Sequence, residues 1–298
     1  MTLNVYYFLQ LTAIFIMLGW AVYVNYRNGQ LNMAPIYTMA IGAYFSAYAV
    51  VEWGWPFGVA LIVAAAVGAV AGFIPSLGLG RAPAFATAIA TIGLIYIAQT
   101  VIRNLDVLGG AYGYLGIPRP YYILPITWGI TIAFGFFIYR LENSRLGRAM
   151  EMVFVNPDVA GTLGINRYWL SVSLQSLAGA MGALAGVFFA FTTGAIQPPN
   201  FGFSLLLRVV CFLFVGGSTT MWGVAIFTPI LWAITVFLPG NVAEWRNIIY
   251  SVLLIVVLLL RPDGVIDREL IRAITNKSRF WLRQQTAPQK ETSLDERK

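Results

Sequence analysis

The charges in this chain are spaced so widely that seven intervals carry none at all: 1–26, 28–51, 53–80, 82–102, 120–139, 168–207 and 209–243. A bilayer's hydrocarbon core is about 30 Å thick, and about 20 mostly apolar helical residues cross it. Only 10% of the 298 residues are charged and 59% are hydrophobic, with a mean hydropathy of +0.74. A soluble domain carries about 25% charged residues, so the polar coat of a water-soluble globule is missing here. The chain reads as a polytopic integral membrane protein.

Two of the intervals are broken internally, at Gln197-Pro198-Pro199-Asn200 and at Gly216-Gly217-Ser218. Prolines and glycines of this kind interrupt helices. Nine apolar segments result, centred near residues 14, 41, 66, 92, 130, 182, 211, 230 and 253, of which 203–218 and 248–260 are short. The expected fold is an all-α bundle of eight or nine transmembrane spans. With no histidine and the single Cys211, a disulfide framework, a Cys/His zinc site and histidine acid–base catalysis are excluded. The net charge of +7 is not gathered on a soluble face, which argues for membrane lipid as the partner and against nucleic acid.

Cytoplasmic loops of membrane proteins carry an excess of Lys and Arg. Placing the polar loop 142–169 and the C-terminus in the cytoplasm puts Arg27, Arg81, Arg140, Arg145, Arg148, Arg167 and every basic residue from Arg261 onward inside. Arg103, Arg119 and Arg246 then lie outside, as does the N-terminus, and Arg208 falls within a segment. The first segment lacks a basic n-region and a small-residue cleavage site, so it is expected to be retained as a span. Residues 1–265 form the expected transmembrane domain. Residues 266–298 form a cytoplasmic tail, an interfacial helix near 267–281 followed by a polar disordered run.

Within the internal polar loop, Asn156-Pro157-Asp158 has the chemistry of a helix start: an N-cap, proline at the first helical position and an acid at the positive dipole end. Ala160 and Leu163 lead to Gly164, which suits a left-handed C-cap. A helix of about two turns cannot stand alone in water. It either lies on the headgroups or is pressed into a groove on a soluble partner.

Polar residues inside the segments are few. Pro35 in the second segment implies either a kinked or a discontinuous helix, and in the discontinuous case Asn32, Tyr37 and Thr38 line a pathway. Thr87, Thr91 and Gln99 share much of one helix face, and Gln175 and Ser176 lie in the sixth segment, positions that serve either helix-to-helix bonding or a solute. Arg208 either snorkels to the headgroups or meets an entering carboxylate. Ala178, Gly182 and Gly186, with a second row of Gly179 and Ala183, provide small-xxx-small spacing for close packing, within the subunit or at a seam with another. The glycine-rich outer stretch 104–120 is either a flexible connector or a docking face.

The order of these pieces resembles a known family. Gly147-Arg148-Ala149, Asn156-Pro157-Asp158-Val159-Ala160 and Leu163-Gly164-Ile165-Asn166 are similar to the coupling loop of permeases in bacterial ABC importers of branched-chain (hydrophobic) amino acids. Gly29-Gln30-Leu31 with 40–44, Ala178-Gly179 through Ala185-Gly186, Gly216-Gly217 with Trp222-Gly223, and Arg261-Pro262-Asp263-Gly264 match further motifs in order. The chain looks more like the second, M-type permease. Ser218-Thr219-Thr220-Met221 lacks the family's third glycine, and Asn32-Met33-Ala34-Pro35 replaces a small, glycine-containing run. Both departures fall where the family builds or gates its pathway.

The resemblance implies a type II-like importer permease in the bacterial inner membrane, ATPase-coupling roles for Gly147, Arg148, Asn156, Pro157, Asp158, Ala160, Leu163, Gly164 and Ile165, and delivery of cargo by an external binding protein. It also implies a second homologous permease and two ATP-binding subunits, which hold ATP and Mg. The chain itself has no phosphate-binding loop, no acid at the centre of a segment and no nucleophile–base pair. An enzyme and an ion-coupled carrier are therefore the weaker readings. The implied cargo is a branched-chain or other hydrophobic amino acid, with urea or short amides as the alternative.

Overall fold

The computed structural model describes residues 2–237 and 246–260. All nine apolar segments are helices: α1 (Thr2–Tyr26), α2 (Ala34–Val51), α3 (Phe57–Leu79), α4 (Ala84–Asn104), α5 (Ile123–Glu142), then, after the polar loop, α8 (Arg167–Thr193), α9 (Phe203–Gly216), α10 (Met221–Phe237) and α11 (Arg246–Leu260). The loop contributes α6 (Arg145–Val155) and α7 (Pro157–Thr162). Among the described residues, seven helical segments are long and apolar enough to cross a membrane, the last of them reaching back through the turn at 198–201 as Pro198–Gly216. A shorter apolar helix runs Met221–Ala233. The expected tail at 266–298 and the Arg261-Pro262-Asp263-Gly264 motif lie outside the described residues.

Burial separates six of the spans into two groups, with Pro198–Gly216 between them. α1, α2 and α8 are 72%, 72% and 78% buried, whereas α3, α4 and α5 are 22–28% buried and turn Ile62, Ile74, Ile89 and Phe136 outward. An apolar face exposed in water would be a liability, but in lipid it is the expected surface. The core is thus three helices, with α8 in the middle packed by α1, α2 and α3.

The small-residue rows explain why α8 can take that place. A methyl group added to Gly182 would sit 2.5 Å from the Pro35 carbonyl of α2, and one on Gly179 would sit 2.5 Å from the Gly68 carbonyl of α3. Gly186 faces Met39 and Ala43, and Ala183 fills the space left by Gly42 and Gly68. Both rows are used inside this chain. The alternative of a seam with another subunit is therefore excluded for these residues.

Pro35 lies in the first turn of α2, where its missing N–H and fixed φ are tolerated. Of the two readings of Pro35, a mid-helix kink is not seen: residues 27–33 are not helical, so the second segment begins as irregular chain and becomes helix only at Ala34. The other two breaks fall as read. A 3-10 turn spans Pro198–Phe201, and α9 stops at Gly216 with Gly217 at φ +123°.

The glycine-rich stretch 104–120 is tied down. Two short 3-10 turns lead into β1 (Tyr114–Leu115), which pairs antiparallel with β2 (Ala195–Ile196) just beyond α8. The Tyr114 hydroxyl donates to the Glu52 carboxylate at 3.1 Å. Burial, together with that neighbouring carboxylate, pushes the tyrosine up to about 12 from 10.0.

Replacing Gly186 with Ala should lower the melting temperature measurably by fluorescence-detected size exclusion, because the obstructing atoms are backbone and cannot rotate away. Gly78→Ala on α3, which meets nothing within 4 Å, should be neutral or slightly stabilising. Tyr114's contribution, read as the stability gap to Tyr114→Phe, should be constant below pH 10 and disappear as pH rises through about 12.

Candidate functional site

The loop 142–169 is a folded surface. Ser144 caps α6 by accepting from the Leu146 and Gly147 N–H groups at 3.1 and 3.3 Å. Gly147 has no side chain because the Leu141 and Glu142 carbonyls occupy that space. Gly147, Met150 and Val153 form the buried stripe of α6, while Arg148 and Met152 face out. This helix was missed in the sequence. Its signals are the Ser144 cap and the i, i+3, i+6 stripe, both hidden in a charge-rich run.

The expected short helix is present as α7, one residue shorter than read. The Asn156 side chain accepts from the Asp158 and Val159 N–H groups at 3.1 and 3.2 Å, with Pro157 in the first turn. Ala160 is fully buried, and its carbonyl receives the Ile165 N–H at 3.1 Å. Gly164 takes φ +79°, the left-handed end expected of it. Asp158 is exposed, and Val159 and Leu163 are 53% and 60% exposed. A capped six-residue helix thus presents bare aliphatic groups beside an acid.

α6 grips the end of α1. Arg27 approaches Glu151 at 3.8 Å and sits 5.9 Å from the centre of the Phe154 ring, which also packs on Tyr26. Glu151 is half exposed, so the ion pair by itself is worth little; the buried guanidinium and the aromatic contact carry more. The Tyr23 hydroxyl donates to the Glu142 carboxylate at the foot of α5. Gly29, at φ +73°, passes close to the Phe154 backbone.

Immediately beyond this grip lies a buried polar tract. Asn25, Asn28, Gln30 and Asn32 are each 1% exposed, an unusual density of amides in a membrane helix bundle. Asn28 donates to Ser171 at 2.7 Å, Gln175 donates to Gln30, and Gln30 reaches the carbonyls that end α3. Asn32 accepts from the Ala34 N–H at 2.7 Å and so starts α2, while the Met33 N–H donates to Thr91, itself bonded to the Thr87 carbonyl. Both side-chain polar atoms of Asn25, Oδ1 of Asn28 and Nδ2 of Asn32 have no hydrogen-bond partner among the described residues. A buried polar atom left unmatched costs about 1–3 kcal/mol, so these four atoms call for a partner such as ordered water or a solute.

Three of the residues read as a pathway, Asn32, Thr91 and Gln175, therefore meet here, joined by Asn28, Gln30 and Ser171 and flanked by Asn25; the Thr87 hydroxyl instead bonds the Pro83 carbonyl of its own helix. Tyr37 and Thr38 do not join them: Tyr37 donates to the Ala71 carbonyl at 2.9 Å, and Thr38 bonds the Pro35 carbonyl against Gly182. Gln99 and Ser176 bond the Pro198 and Ala69 carbonyls at 3.0 and 2.9 Å. Arg208 stands at the opposite end of the bundle, on the wall of a cavity.

Residues 4–258 match the sequence profile of the family described as branched-chain amino acid transport system / permease component. The chain is 24% identical over 291 residues to the high-affinity branched-chain amino acid transport system permease protein LivM of Escherichia coli K12, covering 86% of this chain and 68% of that one. It is 26% identical over 234 residues to the autoinducer 2 import system permease protein LsrC of Escherichia coli SMS-3-5, covering 74% and 68%. It is 28% identical over 171 residues to the ribose import permease protein RbsC of Escherichia coli K12, covering 55% and 52%. No solved structure matches the chain.

Asn156→Ala removes both cap bonds of α7 and should cost about 1 kcal/mol locally. Hydrogen exchange at residues 157–162 should accelerate while exchange in α8 is unchanged.

Proposed function

The chain belongs to the family of branched-chain amino acid transport permeases, and from that footing we propose that it is one permease of an ATP-driven importer for branched-chain amino acids in the bacterial inner membrane. It is an ABC transporter permease, a transport subunit spanning the membrane many times. In the proposed assembly a second homologous permease pairs with it, two ATP-binding subunits supply ATP and Mg chemistry, and a binding protein delivers cargo outside. The α7 end faces the cytoplasm, and the outer loop bearing β1 faces the binding protein.

The observation that carries this reading is the exposed, capped α7 with Val159 and Leu163 bare beside Asp158. Such a surface suits an apolar groove on a soluble subunit. Gly147, Pro157, Gly164 and Ile165 shape it, while Arg148, Asp158, Val159 and Leu163 make contact. Ala160 holds it to the bundle. Nucleotide-driven movement of the partner would displace α7 and α6 together. Through Arg27, Phe154 and Gly29 that displacement reaches the polar tract directly. The amides of that tract can exchange partners at small cost, as a gate between two arrangements of one bundle requires.

The amino acid cargo is supported by the match to LivM along 86% of the chain. A second reading, a sugar-like solute, is favoured by the shorter matches to the ribose and autoinducer 2 permeases; urea or short amides would also suit the amide-lined tract.

In proteoliposomes holding the two permeases and two ATP-binding subunits and supplied with the binding protein, L-leucine uptake should require ATP. Leu163→Asp should reduce uptake by more than about tenfold, since an acid buried in an apolar groove costs well over 1.4 kcal/mol, with thermal stability unchanged. Undiminished uptake in that variant, or uptake by this chain without ATPase subunits, would overturn the reading.

A further inference from the structure

Arg81 stands just beyond α3, at the end of the bundle that carries the polar loop. Its guanidinium is held 5.2 Å from the centre of the Tyr168 ring, at the start of α8. Tyr168 is itself fixed in place. Its hydroxyl donates to the Leu77 carbonyl at 3.1 Å, and its ring lies against Gly80, where an added methyl group would come within 2.8 Å of it. A ring engages a guanidinium through its π-face and uses none of the N–H donors in forks. Arg81 is exposed and makes no hydrogen bond or ion pair with the described residues.

A second arginine adjoins Tyr168 in sequence and has an unmet donor of its own. Arg167 opens α8, and its Nε is buried with no hydrogen-bond partner among the described residues. It too has no acid within ion-pairing distance among them. Next to these cations the surface turns apolar. Leu77 and Ile74 on the outward flank of α3 are 42% and 62% exposed, and the Trp169 ring, 5.3 Å from that of Tyr168, is 57% exposed. Trp and Tyr are enriched at membrane–water interfaces, and basic pockets between helices at the cytoplasmic side receive anionic headgroups.

We propose that the foot of α3 and the start of α8 form a binding site for an anionic phospholipid, its phosphodiester held by Arg81 and Arg167 and its acyl chain lying along Leu77 and Ile74 beside Trp169. Phosphodiester oxygens only accept, and guanidinium donors match them in a fork. A zwitterionic headgroup would bring an ammonium to two cations with no acid paired to either. An acidic side chain of a soluble subunit could reach the arginines but not the apolar flank, which continues into the bilayer. An amphiphile meets both at once. The site also bears on the polar tract, because Gln30 reaches the Leu79 and Gly80 carbonyls, between Leu77 and Arg81. A bound headgroup steadies the end of α3 on which that tract leans. The site requires neither a particular cargo nor an ATP-driven partner, so it stands or falls apart from the importer reading.

Native mass spectrometry of the purified chain in detergent tests it, with phosphatidylglycerol and phosphatidylethanolamine of the same acyl chains at equal concentration. Phosphatidylglycerol should be retained in preference. Arg81→Gln combined with Arg167→Gln should lower its retention about tenfold, the loss of charge-assisted hydrogen bonds, while Arg145→Gln, on the exposed face of α6, should leave it unchanged. The double variant should keep the parent melting temperature in lipid-free detergent. Arg81→Lys, which keeps the charge and loses the fork, should fall between parent and double variant. Trp169→Ala should weaken retention several-fold. Millimolar sn-glycerol 3-phosphate should not displace the lipid; if it does, the apolar flank plays no part and the lipid site is overturned. Equal retention of the two lipids, or unchanged retention in the double variant, would overturn it as well. So would loss of ATP-binding-subunit capture by the double variant with lipid retention intact, which would give the arginines to a protein partner.

Discussion

Everything in this bundle depends on the backbone-to-backbone contact that glycine allows along α8. Lipid gives helices no hydrophobic reason to associate, so close packing has to supply it. Gly182 and Gly186 admit α2 and Gly179 admits α3, each at a distance that one methyl group would forbid, while Gly68 on α3 leaves room for the Ala183 methyl. With that contact in place, the outer faces of α3, α4 and α5 can be apolar and featureless, and polar groups can be kept for the interior.

The interior polarity is not spread evenly. It is concentrated where α1 ends and α2 has not yet begun, and α6 grips the same stretch from the loop side through Arg27 and Phe154. Irregular backbone buried inside a helix bundle has to find its partners in protein or water. Here Ser171, Gln175 and Thr91 match part of the tract, and among the described residues four amide atoms have no partner. The placement of the coupling surface next to the least regular part of the bundle is the structural basis for linking them functionally.

What could be read in the sequence was what local chemistry decides. The nine apolar segments follow from charge spacing, and α7 follows from Asn156-Pro157-Asp158 and Gly164, whose hydrogen bonds lie within a few residues of one another. The parts that could not be read depend on distant partners. α6 is a helix because Ser144 caps it and Met150 and Val153 have something to pack on. Pro35 has the same sequence context whether it kinks a helix or opens one, and residues 27–33 decide between them by bonding to α3, α4 and α8. Tyr37 and Thr38 share a helix with the tract but turn toward carbonyls elsewhere, a choice that spacing alone does not encode.

α8 has a further mechanical property. Its 27 residues extend for about 40 Å, with the bend from α7 at one end and the β1–β2 clasp just past the other. An element that is stiff, central and attached at both tips behaves as a lever. A slight swing about its glycine-packed middle would open one mouth of the bundle while narrowing the other, without any change in the shape of the helix itself.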